Sequence, residues 1–68
     1  MSLEEWEMEL TEANKEYDNG NISRTVYENK IQYIIYRLHK EGYKEPAKRI
    51  AKAHGYNVKT IISEWSKK

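Results

Sequence analysis

The side chains best suited to chemistry in this sequence are the basic ones gathered in its last third. Residues 43–68 hold seven lysines and arginines against two acidic residues, a net charge of +5, whereas residues 1–20 carry a net charge of −6. Ammonium and guanidinium groups bind the phosphates of nucleic acids, so this end of the chain is the expected binding end. The same charges also fit two solvated helix faces of opposite sign, and both interpretations stay open. The basic residues expected to contact phosphates are Lys44, Lys48, Arg49, Lys52 and Lys67.

No pattern of residues indicates catalysis, a metal site or a cofactor. The absence of cysteine excludes disulfides and thiolate zinc sites. His39 and His54 are far apart in the sequence, and no carboxylates complete a ligand set with them. No serine has the context of a catalytic triad, and the three glycines do not form a phosphate-binding loop. We therefore expect a non-enzymatic protein without a metal or a cofactor.

The length of 68 residues allows one domain with a small core. Cores of this size supply only about 3–5 kcal/mol of net stability, which favours a second subunit or another partner. No apolar run approaches the roughly 20 residues that span a bilayer, and the acidic N-terminus does not resemble a secretory signal. We expect a cytoplasmic protein that does not bind membranes and that forms a homodimer or binds a larger partner.

Two predicted helices form the acidic half of the chain. Ser2 and Glu5 match a capping box ahead of an apolar stripe with steps of three and four residues. Gly20 is expected to end this helix, and Ser23 to cap a second helix that runs from Arg24 to about Glu41. The apolar stripe of the first helix consists of Leu3, Trp6, Leu10, Ala13 and Tyr17.

The turn and the second helix resemble the short helical hairpin known as the SHOCT domain. The resemblance covers residues 10–35 and implies a helical hairpin that serves in association. The residues that carry it are Gly20, Ile22, Ser23, Tyr27, Glu28, Lys30, Ile34 and Ile35.

Two shorter helices follow in the basic half. Pro46 suits the first position of a third helix that runs to about His54 and ends at Gly55, because a missing N–H costs nothing there. Asn57 is expected to cap a fourth helix from Val58 to about Ser66. The apolar residues of the fourth helix are Val58, Ile61, Ile62 and Trp65. The predicted fold is therefore all-α, one domain of four helices, with the second helix as the shared central element.

Residues 46–66 resemble the helix-turn-helix of bacterial and phage regulators and of resolvases. The matching residues are Ile50, Ala51, Gly55, Asn57, Thr60 and Ile61. Each residue type has a physical reason, since Ala51 must be small where the two helices cross and Gly55 makes the turn. The resemblance implies a DNA-binding regulator in which the fourth helix enters the major groove and the lysines of the third contact phosphates. The face that it assigns to the bases consists of Asn57, Lys59, Thr60 and Ser63.

A protein-interaction module, either an adaptor or a phage-type inhibitor of a host protein, is the alternative function. It would act through the acidic first helix, or through an apolar patch around Val58 and Ile62. Burial separates the two functions. Covered apolar residues beside an open face with Lys48, Lys52 and Lys59 favour DNA, whereas an exposed apolar patch favours a protein partner.

Overall fold

The computed structural model describes residues 2–67, which fold into four helices without any strand. The helices are α1 (Leu3–Asp18), α2 (Arg24–Lys40), α3 (Lys44–Ala53) and α4 (Val58–Ser66). The predicted all-α fold of four helices in a single domain is confirmed.

Side-chain caps begin three of the helices at the residues predicted for them. The hydroxyl of Ser2 accepts from the N–H of Glu5 at 3.3 Å, and the carboxylate of Glu5 accepts from the N–H of Ser2 at 2.9 Å, which completes the capping box. Ser23 caps α2, and Asn57 caps α4. The local sequence therefore determines where α1, α2 and α4 begin.

A glycine follows each of the first three helices, and all three glycines have a positive φ angle. At the end of α3, the N–H of Gly55 donates to the carbonyl of Lys52, and the N–H of Tyr56 donates to the carbonyl of Ala51 at 2.8 Å. This pair of hydrogen bonds is the Schellman motif, which satisfies the last carbonyls of a helix and turns the chain sharply. The helix ends follow from the glycine positions, as the sequence predicted.

The start of α3 differs from the prediction. The helix begins at Lys44, so Pro46 is its third residue and not its first. The first four N–H groups of any helix lack an intrahelical acceptor, so proline is tolerated throughout this turn. The backbone of Tyr43 joins the two helices directly, because its N–H donates to Leu38 at the end of α2 and its carbonyl accepts from Ala47 in α3.

The core is built around α2, which packs against each of the other three helices. Three of its side chains, Ile31, Ile35 and Leu38, have no exposed surface. Small residues let α3 approach closely, since Ala47 and Ala51 are its buried positions. The other buried residues are Trp6 and Ala13 of α1, Ile34 of α2 and Ile61 of α4. Within residues 2–67, none of the helices combines the length and the apolar character needed to cross a membrane.

Candidate nucleic-acid interface

A row of three lysines follows one exposed side of α3. Lys44, Lys48 and Lys52 recur every fourth residue, which spaces them about 6 Å apart along the helix. The buried alanines of α3 fix the orientation of this row, because Ala47 and Ala51 hold the adjoining side of the helix against α2. All three lysines are exposed.

The glycine corner brings the beginning of α4 beside this row. The result is a groove of about 620 Å³ between α3 and the N-terminus of α4. Lys59 of α4 lines it together with the three lysines of α3. The other lining residues are His39, Glu45, Ala51, Tyr56, Asn57 and Val58. Four of the predicted DNA-binding residues, Lys48, Lys52, Asn57 and Lys59, are therefore brought together here.

The groove is positively charged and its lysines are available. Glu45 is the one carboxylate among its lining residues, against four lysines. Within the described residues, the ion pairs join Arg24 to Glu28 and Arg37 to Glu41, and neither involves a groove lysine. Ammonium groups that no carboxylate neutralises attract an anion most strongly.

Asn57 at the edge of the groove already has a structural role. Its side-chain carbonyl accepts from the N–H of Lys59 at 2.9 Å and from the N–H of Thr60 at 3.4 Å. Reading an adenine in the bidentate manner requires both the carbonyl and the amide N–H₂ of an asparagine. Because the carbonyl caps α4, only the N–H₂ group is left for an outside contact.

The outward side of α4 extends the basic surface beyond the groove. Lys59, Ser63 and Lys67 follow each other every fourth residue, and all are exposed, as is Thr60. The opposite side of α4 is held by Ile61, which is 3 % exposed, and by Trp65, whose indole N–H donates to Gln32 of α2 at 3.2 Å. The register of α4 on α2 thus turns its lysines and hydroxyls outward.

Arg49 lies apart from the other predicted residues. It is exposed, but it lines a different groove, between α1 and α3, together with Glu7 and Leu10. Adjacent residues of a helix point about 100° apart, so Arg49 is turned away from Lys48 toward the groove next to α1, although it lies one turn before the last lysine of the row. Ile50, one of the residues that carry the helix-turn-helix resemblance, is half-buried, packs against the core and lines this second groove as well.

The apolar residues of α4 do not form an exposed patch. Val58 and Trp65 are partly buried and pack against the core, and Ile62 is half-buried. Among residues 2–67, the exposed large hydrophobic residues are Met8, Val26 and Tyr33, which lie on α1 and α2. Because the apolar residues of α4 are at least half-buried, its exposed surface is polar and basic.

Two groove residues were missed by the sequence analysis. His39 comes from the last turn of α2, and no local signal links it to residues twenty positions later. Tyr56 follows Gly55, where a Schellman motif often carries an apolar residue that packs back on its helix. That signal predicts the half-buried packing of Tyr56 against the core.

Within residues 2–67, no group of three or more histidine or carboxylate side chains is arranged to hold a metal ion. Comparison of the chain with protein-family models, with curated proteins and with solved structures found no match. The groove and the outward row of α4 are therefore interpreted from their own geometry and charge.

Proposed function

We propose that the protein is a small, non-enzymatic DNA-binding regulator that uses a helix-turn-helix. In this proposal the lysines of α3 contact backbone phosphates, and α4 lies in the major groove with its outward row against the bases. The proposal includes a cytoplasmic location, and a homodimer that forms on the duplex with one copy on each of two half-sites.

The observation that carries the proposal is the convergence of four lysines from two helices on one groove. Lysines that only keep a protein soluble are not expected to converge from two helices on one groove. The convergence is more notable because the other half of the chain is acidic. A surface of like charges is repulsive until an anion occupies it, and the phosphates of duplex DNA supply a regular row of anions.

The side chains on this surface favour phosphate binding over sequence discrimination. Asn57 has only its N–H₂ group to offer, and Thr60 and Ser63 carry single hydroxyl groups that accept contacts with several bases. We therefore expect binding that weakens steeply with salt, with a log–log slope of about −3 to −4 if all four groove lysines contact phosphates.

The test compares charge reversals inside and outside the groove. Lys52→Glu is expected to weaken binding to a mixed-sequence duplex by at least about tenfold, since it removes one phosphate contact and adds repulsion. Lys15→Glu changes the net charge equally on the exposed surface of α1 and is expected to have little effect. Fluorescence anisotropy at low salt measures binding, and circular dichroism checks that both variants are folded.

Arg49→Glu gives a stricter comparison, because it lies on α3 but outside the groove. Its effect on duplex binding is expected to be smaller than that of Lys52→Glu. Absence of duplex binding by the unmodified protein at low salt would refute the proposal. Equal losses in the Lys15, Arg49 and Lys52 variants would show that only net charge matters and would refute the groove as the site.

The alternative, a protein-interaction module, loses one of its two surfaces because α4 presents no exposed apolar patch within the described residues. Its other surface, the acidic side of α1, remains exposed. A partner for that side would have to be basic.

A further inference from the structure

We propose that the basic groove also accepts the acidic side of α1 from a second copy of this chain, so that self-association and duplex binding compete for one site. The competition rests on the proposed duplex binding, whereas the association itself does not. The acidic side of α1 is defined here as Glu9, Glu12 and Glu16.

The charges of the two surfaces are complementary. Glu9 and Glu12 are exposed and Glu16 is half-buried, and together they border one groove between α1 and α2, where three carboxylates face one cation, Lys30. The basic groove between α3 and α4 has four lysines against Glu45. Opposite potentials of this kind steer two molecules together and fix their register.

The acidic side cannot reach the basic groove of its own chain. Trp6 and Ala13 are buried and hold α1 against α2 along its length. The basic groove opens at the corner between α3 and α4. An α1 helix that occupies the groove must therefore come from another molecule.

The spacing of the two charge rows is similar. The lysines of α3 are about 6 Å apart, and the steps from Glu9 to Glu12 and to Glu16 are about 4.5 and 6 Å. Two helices lying side by side would thus bring successive carboxylates opposite successive ammonium groups.

An apolar contact accompanies the charges. Met8 is 69 % exposed and lies one turn before Glu12 on α1. The basic groove contains apolar surface from Ala51, Tyr56 and Val58. The flexible thioether of methionine suits a shallow surface of this kind.

The contact is heterologous, because each copy contributes its α1 to one neighbour and its groove to another. Contacts of this type add copies head to tail and form open chains unless the rotation closes them. Exposed ion pairs are individually weak and screened by salt, so the association is expected at low ionic strength and at protein concentrations on the order of 0.1–1 mM.

The experiment uses two neutralised variants and measures mass by sedimentation equilibrium at about 20 mM salt. Glu9→Gln/Glu12→Gln removes the acidic side but keeps the groove, and Lys48→Gln/Lys52→Gln does the reverse. Each variant alone is expected to be monomeric, while the unmodified protein grows in mass with concentration. An equimolar mixture of the two variants retains one intact contact per pair and is expected to stop at a dimer.

The matched control is Glu4→Gln/Glu7→Gln, which neutralises two exposed carboxylates of α1 outside the acidic side. It is expected to associate like the unmodified protein, and salt at about 300 mM is expected to abolish the association. Circular dichroism verifies that every variant is folded. An unmodified protein that stays monomeric, a control that loses association equally, or association that persists at high salt would each overturn the inference.

Duplex DNA provides the last arm. Added duplex is expected to dissociate the assemblies into single copies, because the phosphates bind the same lysines as the carboxylates of α1. Association that is seen without any duplex binding would refute the proposed function and leave the contact between copies standing. Duplex binding by a protein that stays monomeric in the absence of DNA would refute only the inference.

Discussion

At the scale of single residues, Gly55 controls the corner between α3 and α4. Its φ angle is +75°, and a Cβ atom added there would meet no atom within 4 Å. A substitution would thus be opposed by backbone strain alone and not by a clash. We expect Gly55→Ala to lower the free energy of unfolding by about 1 kcal/mol, measured by urea denaturation.

The control for this prediction is Gly55→Asn at the same position. Asparagine adopts the left-handed conformation more readily than alanine, so its loss of stability is expected to be smaller. Equal stability of the alanine variant and the unmodified protein would contradict the strained geometry of the corner.

At the scale of the elements, the capping box makes the N-terminus of α1 sensitive to acid. Hydrogen bonds from the backbone N–H of Ser2 and then from its hydroxyl lower the pKa of Glu5 below its ordinary value of 4.5. A carboxylate with a lowered pKa in the folded state stabilises that state above its unfolded pKa, and this contribution is lost as the pH falls through the folded pKa. Stability from this group is therefore expected to begin to fall near pH 4.5.

Ser2→Ala tests this effect because it removes the hydroxyl from the capping box. The pKa of Glu5 is expected to rise toward 4.5 in this variant, as followed by the ¹³C chemical shift of its carboxyl group. Ser66→Ala, an exposed serine in α4, is the control and should leave the titration of Glu5 unchanged. An unaltered pKa in the Ser2 variant would show that the hydroxyl contributes nothing.

Element boundaries could be predicted wherever a local hydrogen bond decides them. Ser2, Ser23 and Asn57 each satisfy N–H groups within three residues of themselves, so their sequence context is sufficient. The predicted start of α3 was two residues too late, because a proline is tolerated anywhere in the first turn of a helix and Pro46 is the third residue. The contact that decides this start comes from the end of α2, through Tyr43, and periodicity does not report it.

The candidate site was predictable only in part. The fourfold spacing places Lys48 and Lys52 on one side of α3, whereas the position of Arg49 in a separate groove depends on where α1 lies. The meeting of Lys59 with that row depends on how α3 and α4 are placed on α2, and His39 joins for the same reason. The buried residues of α2 determine how α3 and α4 pack, and these residues are far from the lysines in the sequence.

At the scale of the whole molecule, opposite charges occupy opposite parts of one small chain. Most of the acidic residues belong to α1, whereas residues 43–68, which contain α3 and α4, hold seven of the twelve basic residues, and α2 lies between the two groups. Among the described residues, the basic groove between α3 and α4 is lined by no residue of α1, and the two charged halves meet in the groove that Glu7 and Arg49 line. Under the proposed function, this separation leaves the basic half open to an anionic partner.

The unit formed by α3 and α4 is expected to depend on α2. Helices of ten and nine residues, the lengths of α3 and α4, are marginal in isolation. Both are held by the buried side of α2, where Ile31, Ile35 and Leu38 have no exposed surface. We expect a peptide of residues 43–68 to be mostly unfolded by circular dichroism, and to gain helicity when an excess of a peptide of residues 1–42 is added. A peptide of residues 43–68 that melts cooperatively from a native-like helix content would mean that α3 and α4 form an autonomous unit, and α2 would then be an attachment and not the organising helix of the fold.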